Sequence, residues 1–408
     1  MSDLQLRQLR SSDELRGAAA AWDDLWQRSD VASPAARAEL VALRVDHLAA
    51  GSTFRGLVVE QSGRMVATLP LVTRRLTGPI KVGALPCNCW VAGGALLLDP
   101  TADAAAALDC LVSAIPGLPW PLLWLDQVPF DDATWQAFRA AIGRAGLAAT
   151  TREHYQIGQV KIGDDWQKFL ANMKGDHRRK ITRLVRKLDE AGGSELKIYR
   201  QMSPEQVDEL VRRGFEVEDR SWKAGEGTSV LKNPMRFEQY RREAQVLARL
   251  GHLELIFLEQ RGQPMAFVYG WMAKRVHFMS KIGYDESFAR FAPGQQLTMR
   301  WLETMHGELT ERMLDFAGPF KDFHKVWTAC SYPVGPLVVA TPSILGRGLF
   351  HAYTRWQPRA KRARQRLAAA VQSVRAAASA LGTRLGRSLP IHRAATEKTA
   401  ANHPEAES

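Results

Sequence analysis

A two-strand hairpin pattern occurs twice in this chain of 408 residues, about two hundred residues apart. The first copy reads GLVVE, a turn at Ser62-Gly63-Arg64 and MVATLPLVTRRL, and the second reads LELIFLEQ, a turn at Arg261-Gly262-Gln263 and PMAFVYGWM. A gapless alignment of the copies gives four identities: Glu60 with Glu259, Gln61 with Gln260, Gly63 with Gly262, and Ala67 with Ala266. Glu-Gln before a glycine turn is also common in unrelated hairpins. The identities are therefore compatible both with a duplicated domain and with two independent hairpins.

The segment around the second hairpin has the element pattern of an α/β unit of about 150 residues. It is preceded by a strand at Leu196–Tyr199, a helix opened by the capping sequence Ser203-Pro204-Glu205-Gln206, and a helix near Pro234–Leu250. It is followed by a strand at Val276–Gly283, a loop with Pro293-Gly294, a helix near Gln295–Glu308 and the strand RMLDFAG. The pattern predicts a mixed sheet flanked by helices.

The basic charge of the chain lies mainly in its C-terminal tail. Lys+Arg number 55 and Asp+Glu 43, a formal charge of +12, yet residues 341–408 hold 12 basic and 3 acidic side chains and so carry +9 of it. A body of net charge +3, without aromatic residues interleaved among its basic ones, argues against a nucleic-acid partner.

Cysteine usage and hydropathy indicate a cytoplasmic protein. The four cysteines form no CxxC or zinc-ligand spacing, so neither a disulfide framework nor a bound metal is expected. The N-terminus lacks the pattern of a signal peptide, and the longest apolar run, roughly Cys87–Leu98, is too short to cross a bilayer.

Residues 341–390 are predicted to form a basic amphipathic helical tail, and residues 391–408 have a composition typical of disorder. Three interpretations of the helix stay open: binding to an anionic membrane surface, which would place the protein at the inner face of the membrane, self-association, and a solvated arm. The larger apolar residues fall on one stripe at steps of four and three: Leu367, Val371, Val374, Ala378, Leu381 and Leu385.

If the tail holds the protein on a membrane, deletion of residues 355–408 abolishes co-sedimentation with anionic liposomes. The attraction is mainly electrostatic, because an alanine-rich face buries little area, so binding of the full chain also weakens as salt is raised. Unchanged co-sedimentation of the truncated protein would contradict the membrane interpretation.

The loop before the helix near Gln295 has the outline of a phosphate site. A strand that ends in a Pro-Gly loop before a helix exposes unpaired N–H groups at the helix start, and Gly294 allows an anion close to the backbone. Pro-Gly before a helix is also an ordinary turn, and that interpretation stays open.

Three strings in order resemble GNAT acetyltransferases of the CelD/BcsL type, which are associated with cellulose and exopolysaccharide biosynthesis. They are EDRSWKAGEGT from Glu218, the turn FAPGQQL, and DFAGPFKDFHKVW from Asp315. The family is similar in fold to Fem-type peptidyltransferases, which carry tandem GNAT-like domains. The resemblance spans about residues 10–335, and its specific part is 160–330.

The resemblance implies an α/β fold of tandem GNAT-like acyltransferase domains, with a helical basic tail after them. The predicted domains are 1–155, an N-terminal GNAT-like domain, and 156–340, the C-terminal acyltransferase domain. The implied function is N- or O-acyl transfer from acetyl-CoA or another acyl-CoA to a small-molecule or glycan-precursor acceptor of the cell envelope or a polysaccharide. The alternative is a Fem-like aminoacyl-tRNA-dependent transferase or a non-catalytic nucleic-acid-binding module.

Two departures from the family pattern leave the acyl group of the donor open. The usual phosphate loop, Q/R-x-x-G-x-G/A, is replaced by a sequence with one glycine and an extra residue after Arg290. Phe320-Lys321 stands where the family usually has a tyrosine before the lysine.

The catalytic candidates are Asp315, Tyr284 and Glu218. Asp315 lies on a strand between apolar residues, where burial would raise its pKa towards that of a general base; the alternative is a structural carboxylate that caps a turn or pairs with Lys321. Tyr284 is placed to protonate the departing thiolate, or it packs at a strand end. Glu218 falls in a cluster near the acceptor cleft.

The binding candidates follow from the same motifs. Trp222 forms a wall of the acceptor cleft or anchors its helix on the sheet, Lys223 lies next to it, and Lys321 binds an anionic group or is solvated. The basic segment Asp164–Ala191 is predicted to be one long helix, either in contact with an anionic substrate or simply solvated on its basic face. The donor phosphates are expected at five residues of the turn: Arg290, Pro293, Gly294, Gln295 and Gln296.

Overall fold

The computed structural model describes residues 4–48, 52–87, 94–163, 165–307 and 312–355. The strands are β1 Leu4–Leu9, β2 Phe54–Gln61, β3 Arg64–Thr77, β4 Ile80–Ala84, β5 Leu97–Leu98, β6 Leu122–Pro129, β7 Ala149–Thr151, β8 Tyr155–Ile162, β9 Glu195–Tyr199, β10 Leu253–Gln260, β11 Gln263–Ala273, β12 Val276–Tyr284, β13 Arg312–Pro319 and β14 Ser331–Ala340. The helices are α1 Ser12–Gly17, α2 Ala19–Arg28, α3 Ala38–Asp46, α4 Ala104–Val112, α5 Ala133–Arg144, α6 Trp166–Asn172, α7 Gly175–Glu190, α8 Pro204–Asp219, α9 Trp222–Gly225, α10 Pro234–Arg249, α11 Pro293–His306 and α12 Asp322–Lys325. Short 3₁₀ turns occupy Pro34–Ala36, Ile115–Gly117, Val230–Lys232 and Glu286–Phe291.

The fourteen strands of the described residues belong to one sheet. Its order is β1-β2-β3-β4-β6-β14-β8-β13-β12-β11-β10-β9, with β5 beside β3 and β7 beside β14. Within the described ranges, β4 with β6 and β12 with β13 are the parallel pairs, and the other pairs are antiparallel. Helices cover the sheet on both faces. The predicted fold class, a mixed central sheet flanked by helices, is therefore confirmed.

The two halves of the sheet repeat one another. β1-β2-β3-β4-β6 and β9-β10-β11-β12-β13 have the same sequence of three antiparallel pairs and one parallel pair. Both hairpins turn through two residues with positive φ, Ser62-Gly63 and Arg261-Gly262, as a type I′ turn requires. Both also shift register at the same place, before Glu60 and before Glu259. Of the two alternatives left open by the sequence, this shared geometry favours duplication.

The helix boundaries correct two expectations. The basic segment predicted as one helix over Asp164–Ala191 forms two, α6 and α7, because the backbone is extended at Met173 and non-helical at Lys174, with ψ of 125°. Helix α11 begins at Pro293 rather than Gln295, since proline suits the first turn of a helix. The capping box at Ser203 is confirmed, with the Gln206 amide donating to the Ser203 hydroxyl and the Ser203 amide to the Gln206 side chain.

Buried charge joins the two halves. Arg44 on α3 forms an ion pair of 2.7 Å with Glu243 on α10, and the two side chains are 9% and 2% exposed. Nearby, Lys274 after β11 donates to the Ser29 carbonyl at 2.6 Å and lies over the ring of Trp26. The first half and the second half are thus connected by polar contacts as well as by the sheet.

Residues 344–355 continue from β14 as a helix. The rest of the predicted tail, including residues 356–390 and the segment 391–408, lies outside the described residues. None of the helices that the structure describes is long and apolar enough to cross a membrane.

Replacing Arg44 with methionine is expected to lower the free energy of unfolding by about 3–5 kcal/mol, because it leaves the Glu243 carboxylate buried without a countercharge. The double variant R44M/E243M should recover most of that loss in urea denaturation, since it removes both charges. The exposed pair Arg144–Asp109 provides the control, as R144M should cost at most about 1 kcal/mol. Equal losses in R44M and R144M would contradict a structural role for the buried pair.

Candidate active site

The centre of the second half is a gap between two parallel strands. β12 pairs with β13 over only three residue pairs, the last of them Phe278 with Asp315, and no pairing between these strands continues beyond it in the described residues. On its other side β13 also loses register with β8 after Asp315. Ala317 has φ of 49°, a left-handed conformation that non-glycine residues seldom adopt. The strands therefore part immediately after Phe278 and Asp315.

Two cavities lie on opposite faces of the sheet at this gap. Cavity A, of about 500 Å³, is lined by Met279 of β12 and Phe316 of β13. Cavity B, of about 420 Å³, is lined by Phe278 and Asp315, the residues just before them. Since successive side chains of a strand point to opposite faces, this one-residue step places the cavities back to back.

Cavity A receives the start of α11. Ala292, in the left-handed conformation with φ of 50°, precedes the helix, and no side chain caps its first turn. Pro293 has no N–H group, and the amides of Gln295 and Gln296 both donate to the Ala292 carbonyl. Of the first-turn amides, that of Gly294 therefore remains without a backbone partner in the described chain.

The corresponding helix of the first half differs at its start. The carboxylate of Asp103 caps α4 by accepting a hydrogen bond from the Ala106 amide at 3.0 Å. A negative charge at that position disfavours a second anion. The uncapped N-terminus of α11 is thus the one of this pair that is suited to a phosphate.

Glu218 supports the wall of cavity A that contains Lys223 by accepting hydrogen bonds behind it. Its side chain is 4% exposed, and its two oxygens accept from Lys223 Nζ at 2.7 Å and from the Val230 amide at 3.1 Å. Lys223 Nζ also donates to the Ile282 carbonyl at 3.1 Å. The glycine at position 283 lets β12 lie this close to α8, because a Cβ there would be 2.9 Å from the Glu218 Cα. Glu218 itself lines neither cavity.

The opposite wall of cavity A is aromatic. The His324 ring stacks on Phe316 with centroids 4.2 Å apart, and Trp327 lies next to it. Burial lowers the pKa of His324 to about 4, so its imidazole is neutral at physiological pH. The amide of Lys321 donates to His324 Nδ1 at 3.2 Å, which assigns the proton of the neutral ring to Nε2.

Asp315 is a buried carboxylate whose hydrogen-bond partners among the described residues are all neutral. It is 2% exposed, and one oxygen accepts from the Ala317 amide at 2.7 Å. The other accepts from Gln159 Nε2 at 3.0 Å and the Tyr332 hydroxyl at 2.9 Å. Burial raises the pKa of Asp315, and the three hydrogen bonds counteract part of that rise. Burial and the adjacent Asp315 raise the pKa of Tyr332, so the phenol remains a donor.

Cavity B is acidic and combines residues of both halves. None of the described residues that line it is basic. Arg74, which does not line the cavity, pairs with Asp126, and Asp132 caps α5. The carboxylates that line cavity B are Asp30, Asp126, Asp131, Asp132 and Asp315.

The structure brings about half of the predicted site residues to cavity A: Trp222, Lys223, Tyr284, Pro293, Gly294 and Gln295. Trp222 is 49% exposed and so does not anchor its helix on the sheet. Gln296, predicted to bind the donor, is instead fully buried. Its side-chain Nε2 donates to the carbonyls of Leu184 and Phe291. Arg290 lies over the Phe291 ring outside the cavity lining.

Asp315 lies on the other face, in cavity B, and Lys321 is exposed outside both cavities. The ion pair considered between these two residues is not formed, since all the partners of Asp315 are neutral. Sequence reasoning missed Gln159, Tyr332, His324 and Trp327. His324 and Trp327 lie within the string DFAGPFKDFHKVW, so the motif could have indicated them. Gln159 lies on β8, far away in the sequence, where no motif points to it.

Residues 175–325 match the model of a family described as an acetyltransferase (GNAT) domain. This segment contains α7 to α12 and the whole gap between β12 and β13, so the chain carries a GNAT-type acyltransferase fold there. A comparison with curated protein sequences finds no significant match.

Solved structures match over most of the chain at low sequence identity. FemX covers 82% of this chain and 96% of its own, with 13% identity and a TM-score of 0.54. A C-terminal domain described as that of a lysylphosphatidylglycerol synthetase, from Agrobacterium fabrum, covers 83% and 96%, with 13% identity and a TM-score of 0.50. A tandem GNAT protein from the clavulanic acid biosynthesis pathway covers 84% and 100%, with 14% identity and a TM-score of 0.47. At this low identity, the matches to FemX and to the Agrobacterium fabrum domain show a similar fold and nothing more.

Glu218→Gln is expected to lower the free energy of unfolding by about 2 kcal/mol, because one of its two buried donors loses its acceptor. Glu216→Gln, an exposed change on the same helix, is the control and should change stability little. Thermal denaturation measures both. A Glu218→Gln variant as stable as Glu216→Gln would show that the contacts to Lys223 and Val230 do not support this wall.

Proposed function

We propose that the protein transfers an acyl group from an acyl-CoA thioester, with acetyl-CoA as the first candidate, to an amine-bearing acceptor. The observation that carries this proposal is the pair of cavities that meet where β12 and β13 part. One cavity has a helix N-terminus and no carboxylate in its lining, and the other has a buried carboxylate with a raised pKa. A donor and an acceptor can thus approach the gap from opposite faces.

Cavity A fits the donor in two respects. The Gly294 amide at the start of α11 offers a hydrogen bond to a phosphate, and the helix dipole favours a negative charge there. The mainly apolar lining, with Met279, Ile282 and Phe316, suits an acyl chain and its thioester linker. The lining does not select between acetyl and a longer acyl group, so both enter the test.

Asp315 is the proposed general base. An amine attacks the thioester carbonyl, a C–N bond forms as the C–S bond breaks, and the Asp315 carboxylate takes the proton that the nitrogen loses. Tyr284, which lines cavity A, is the proposed donor of the proton that the departing thiolate takes up. Gln159 and Tyr332 act as positioning residues, because they hold the carboxylate by hydrogen bonds. Glu218 has the same role towards Lys223.

The acidic lining of cavity B favours an amine over a neutral hydroxyl as the acceptor. A cationic group entering the cavity meets carboxylates and no lining cation in the described chain. The resemblance to CelD/BcsL-type proteins directs the search to amine-bearing precursors of the cell envelope or of a polysaccharide. Asp126 is already paired with Arg74, and Asp30 interacts electrostatically with Lys274, so Asp131, Asp132 and Asp315 supply most of this attraction.

A Fem-like aminoacyl transfer is the second candidate, favoured by the exposed basic side chains of α7. FemX shares the fold over most of the chain. This candidate requires RNA to bind with a steep dependence on salt. Its acyl donor would be an aminoacyl ester of RNA rather than an acyl-CoA thioester. Measuring whether the protein binds RNA or acyl-CoA therefore distinguishes the two candidates.

A thermal-shift screen against acyl-CoAs of increasing chain length tests the donor. A bound donor at 100 times its Kd should stabilise the fold by about 2.7 kcal/mol, and the preferred acyl length should give the largest rise in Tm. Absence of any shift with every acyl-CoA, together with RNA binding, would replace the acyl-CoA proposal by the Fem-like one.

Asp315→Asn should lower kcat about 10²–10⁴-fold, because the amide cannot accept the proton. Release of free thiol in the presence of an amine acceptor measures the rate. Asp103→Asn is the matched control, since asparagine caps α4 as well as aspartate does. A rate for Asp315→Asn close to that of the control would exclude Asp315 as the base.

The pH profile provides a second test of the same residue. Activity requires the ionised Asp315, so kcat/KM should fall as pH decreases through a pKa raised above the ordinary aspartate value. Tyr332→Phe removes a hydrogen bond that stabilises the carboxylate and should move this acid limb to higher pH. An unmoved acid limb in Tyr332→Phe would assign it to another group.

A further inference from the structure

Helix α7 runs beside cavity A. Near its N-terminus the His177 ring contacts Trp327, which lines the cavity, with centroids 5.2 Å apart. Near its C-terminus Lys187 Nζ lies 5.7 Å from the Phe291 ring, next to the turn that opens α11. Between them the Leu184 carbonyl accepts a hydrogen bond from Gln296 at 3.1 Å. The helix therefore follows the cavity from its aromatic wall to its phosphate-type turn.

The two flanks of α7 differ in what they face. At about 100° per residue, Lys180 and Lys187 project from the same side as His177, towards the cavity. The influence of Lys180 on the pKa of His177, which it helps to lower, agrees with their proximity. Asp189 projects from the other flank and pairs with Arg300, further along α11.

The cations of α7 also differ in whether they have an acidic partner. Arg179 pairs with Asp176, and Arg186 lies 3.6 Å from Glu190, both within the helix. Lys180 and Lys187 are exposed, and neither has an acidic partner among the described residues. Arg183 also lacks one there, and Arg178 donates to the Leu170 carbonyl at 3.2 Å. The cavity side of the helix therefore carries two cations that no acidic side chain of the described residues neutralises.

Cavity A alone lacks positive charge for a ligand with several phosphates. The first turn of α11 supplies the Gly294 amide. Lys223 is the one lysine or arginine in its described lining, and Glu218 already neutralises it. His324 is neutral, because burial lowers its pKa. A multiply charged donor needs further cations close to the turn.

We propose that Lys180 and Lys187 of α7, together with Arg290 of the turn, bind the phosphate groups of a small nucleotide-bearing thioester donor whose acyl end enters cavity A. Arg290 lies 4.7 Å from the Phe291 ring that Lys187 also approaches, so these two cations flank one residue of the turn. This inference rests on the proposed function and adds to it a binding surface on α7, outside the turn that opens α11.

The dimensions favour a small donor over RNA. Lys180 and Lys187 are seven residues apart, about 10 Å along the helix. That span accommodates the few phosphates of one nucleotide, whereas a duplex presents charge over many base pairs. The surface also adjoins cavity A, because His177 on the same side of α7 contacts Trp327 of the cavity lining and Lys187 approaches Phe291 just before the α11 turn.

The test compares two matched double variants of the full chain. K180Q/K187Q removes two cations from the cavity flank, and R179Q/R186Q removes two from the solvent side of the same helix with the same spacing. All four positions are exposed, so both variants should melt as the wild type does. Isothermal titration with acetyl-CoA and with 3′-dephospho-CoA, at low and moderate salt, gives Kd.

The expected result is an increase of Kd for acetyl-CoA of about 10-fold in K180Q/K187Q, with little change in R179Q/R186Q and a weaker salt dependence in the first variant. Equal Kd values in the wild type and K180Q/K187Q, or equal losses in both doubles, would overturn the phosphate site while leaving the proposed function intact. No binding of acetyl-CoA by the wild type would overturn the proposed function. Dependence on Lys180 and Lys187 of binding to a short RNA hairpin, without such dependence for acetyl-CoA, would assign the surface to RNA instead.

Discussion

Strands β12 and β13 exchange hydrogen bonds over three residue pairs and then separate, and the candidate site depends on that separation. Parallel strands that stayed paired would bring Met279 and Phe316 side by side and close cavity A. The helix between the two strands has to begin at the widening gap, which is why the start of α11 points into the cavity. On the side of β13, the backbone at Ala317 leaves the strand conformation, with φ of 49°, where the register with β8 is lost.

Local chemistry could be predicted well from the sequence. The Gly63 and Gly262 turns and the Ser203 capping box depend on a few neighbouring residues, and the structure has all of them. The mixed sheet also followed from the order of elements. The break at Met173 and Lys174 was missed, because the apolar spacing of the two helices continues across it.

The surroundings of Asp315 could not be predicted in the same way. Gln159, which holds the carboxylate, lies 156 residues earlier in the chain and belongs to a strand that pairs with β13 only in the folded sheet. Whether Asp315 or Phe316 faces cavity A is a property of the sheet, because adjacent residues of a strand point in opposite directions. Gln296 shows the same limit within a helix: its position in the motif suggested a ligand contact, but its side chain turns towards α7.

Strand β14 pairs with β6 of the first half on one side and with β8 on the other, so the last strand of the sheet lies at its centre. During synthesis β6 is complete about two hundred residues before β14 leaves the ribosome. Until then β6 and β8 each present an unpaired edge that can combine with another chain. The acidic cavity includes Tyr332, which comes from β14 itself, and the core of the first half includes Leu337 and Val339 of the same strand. Both the site and that core can therefore be completed only after β14 has been synthesised.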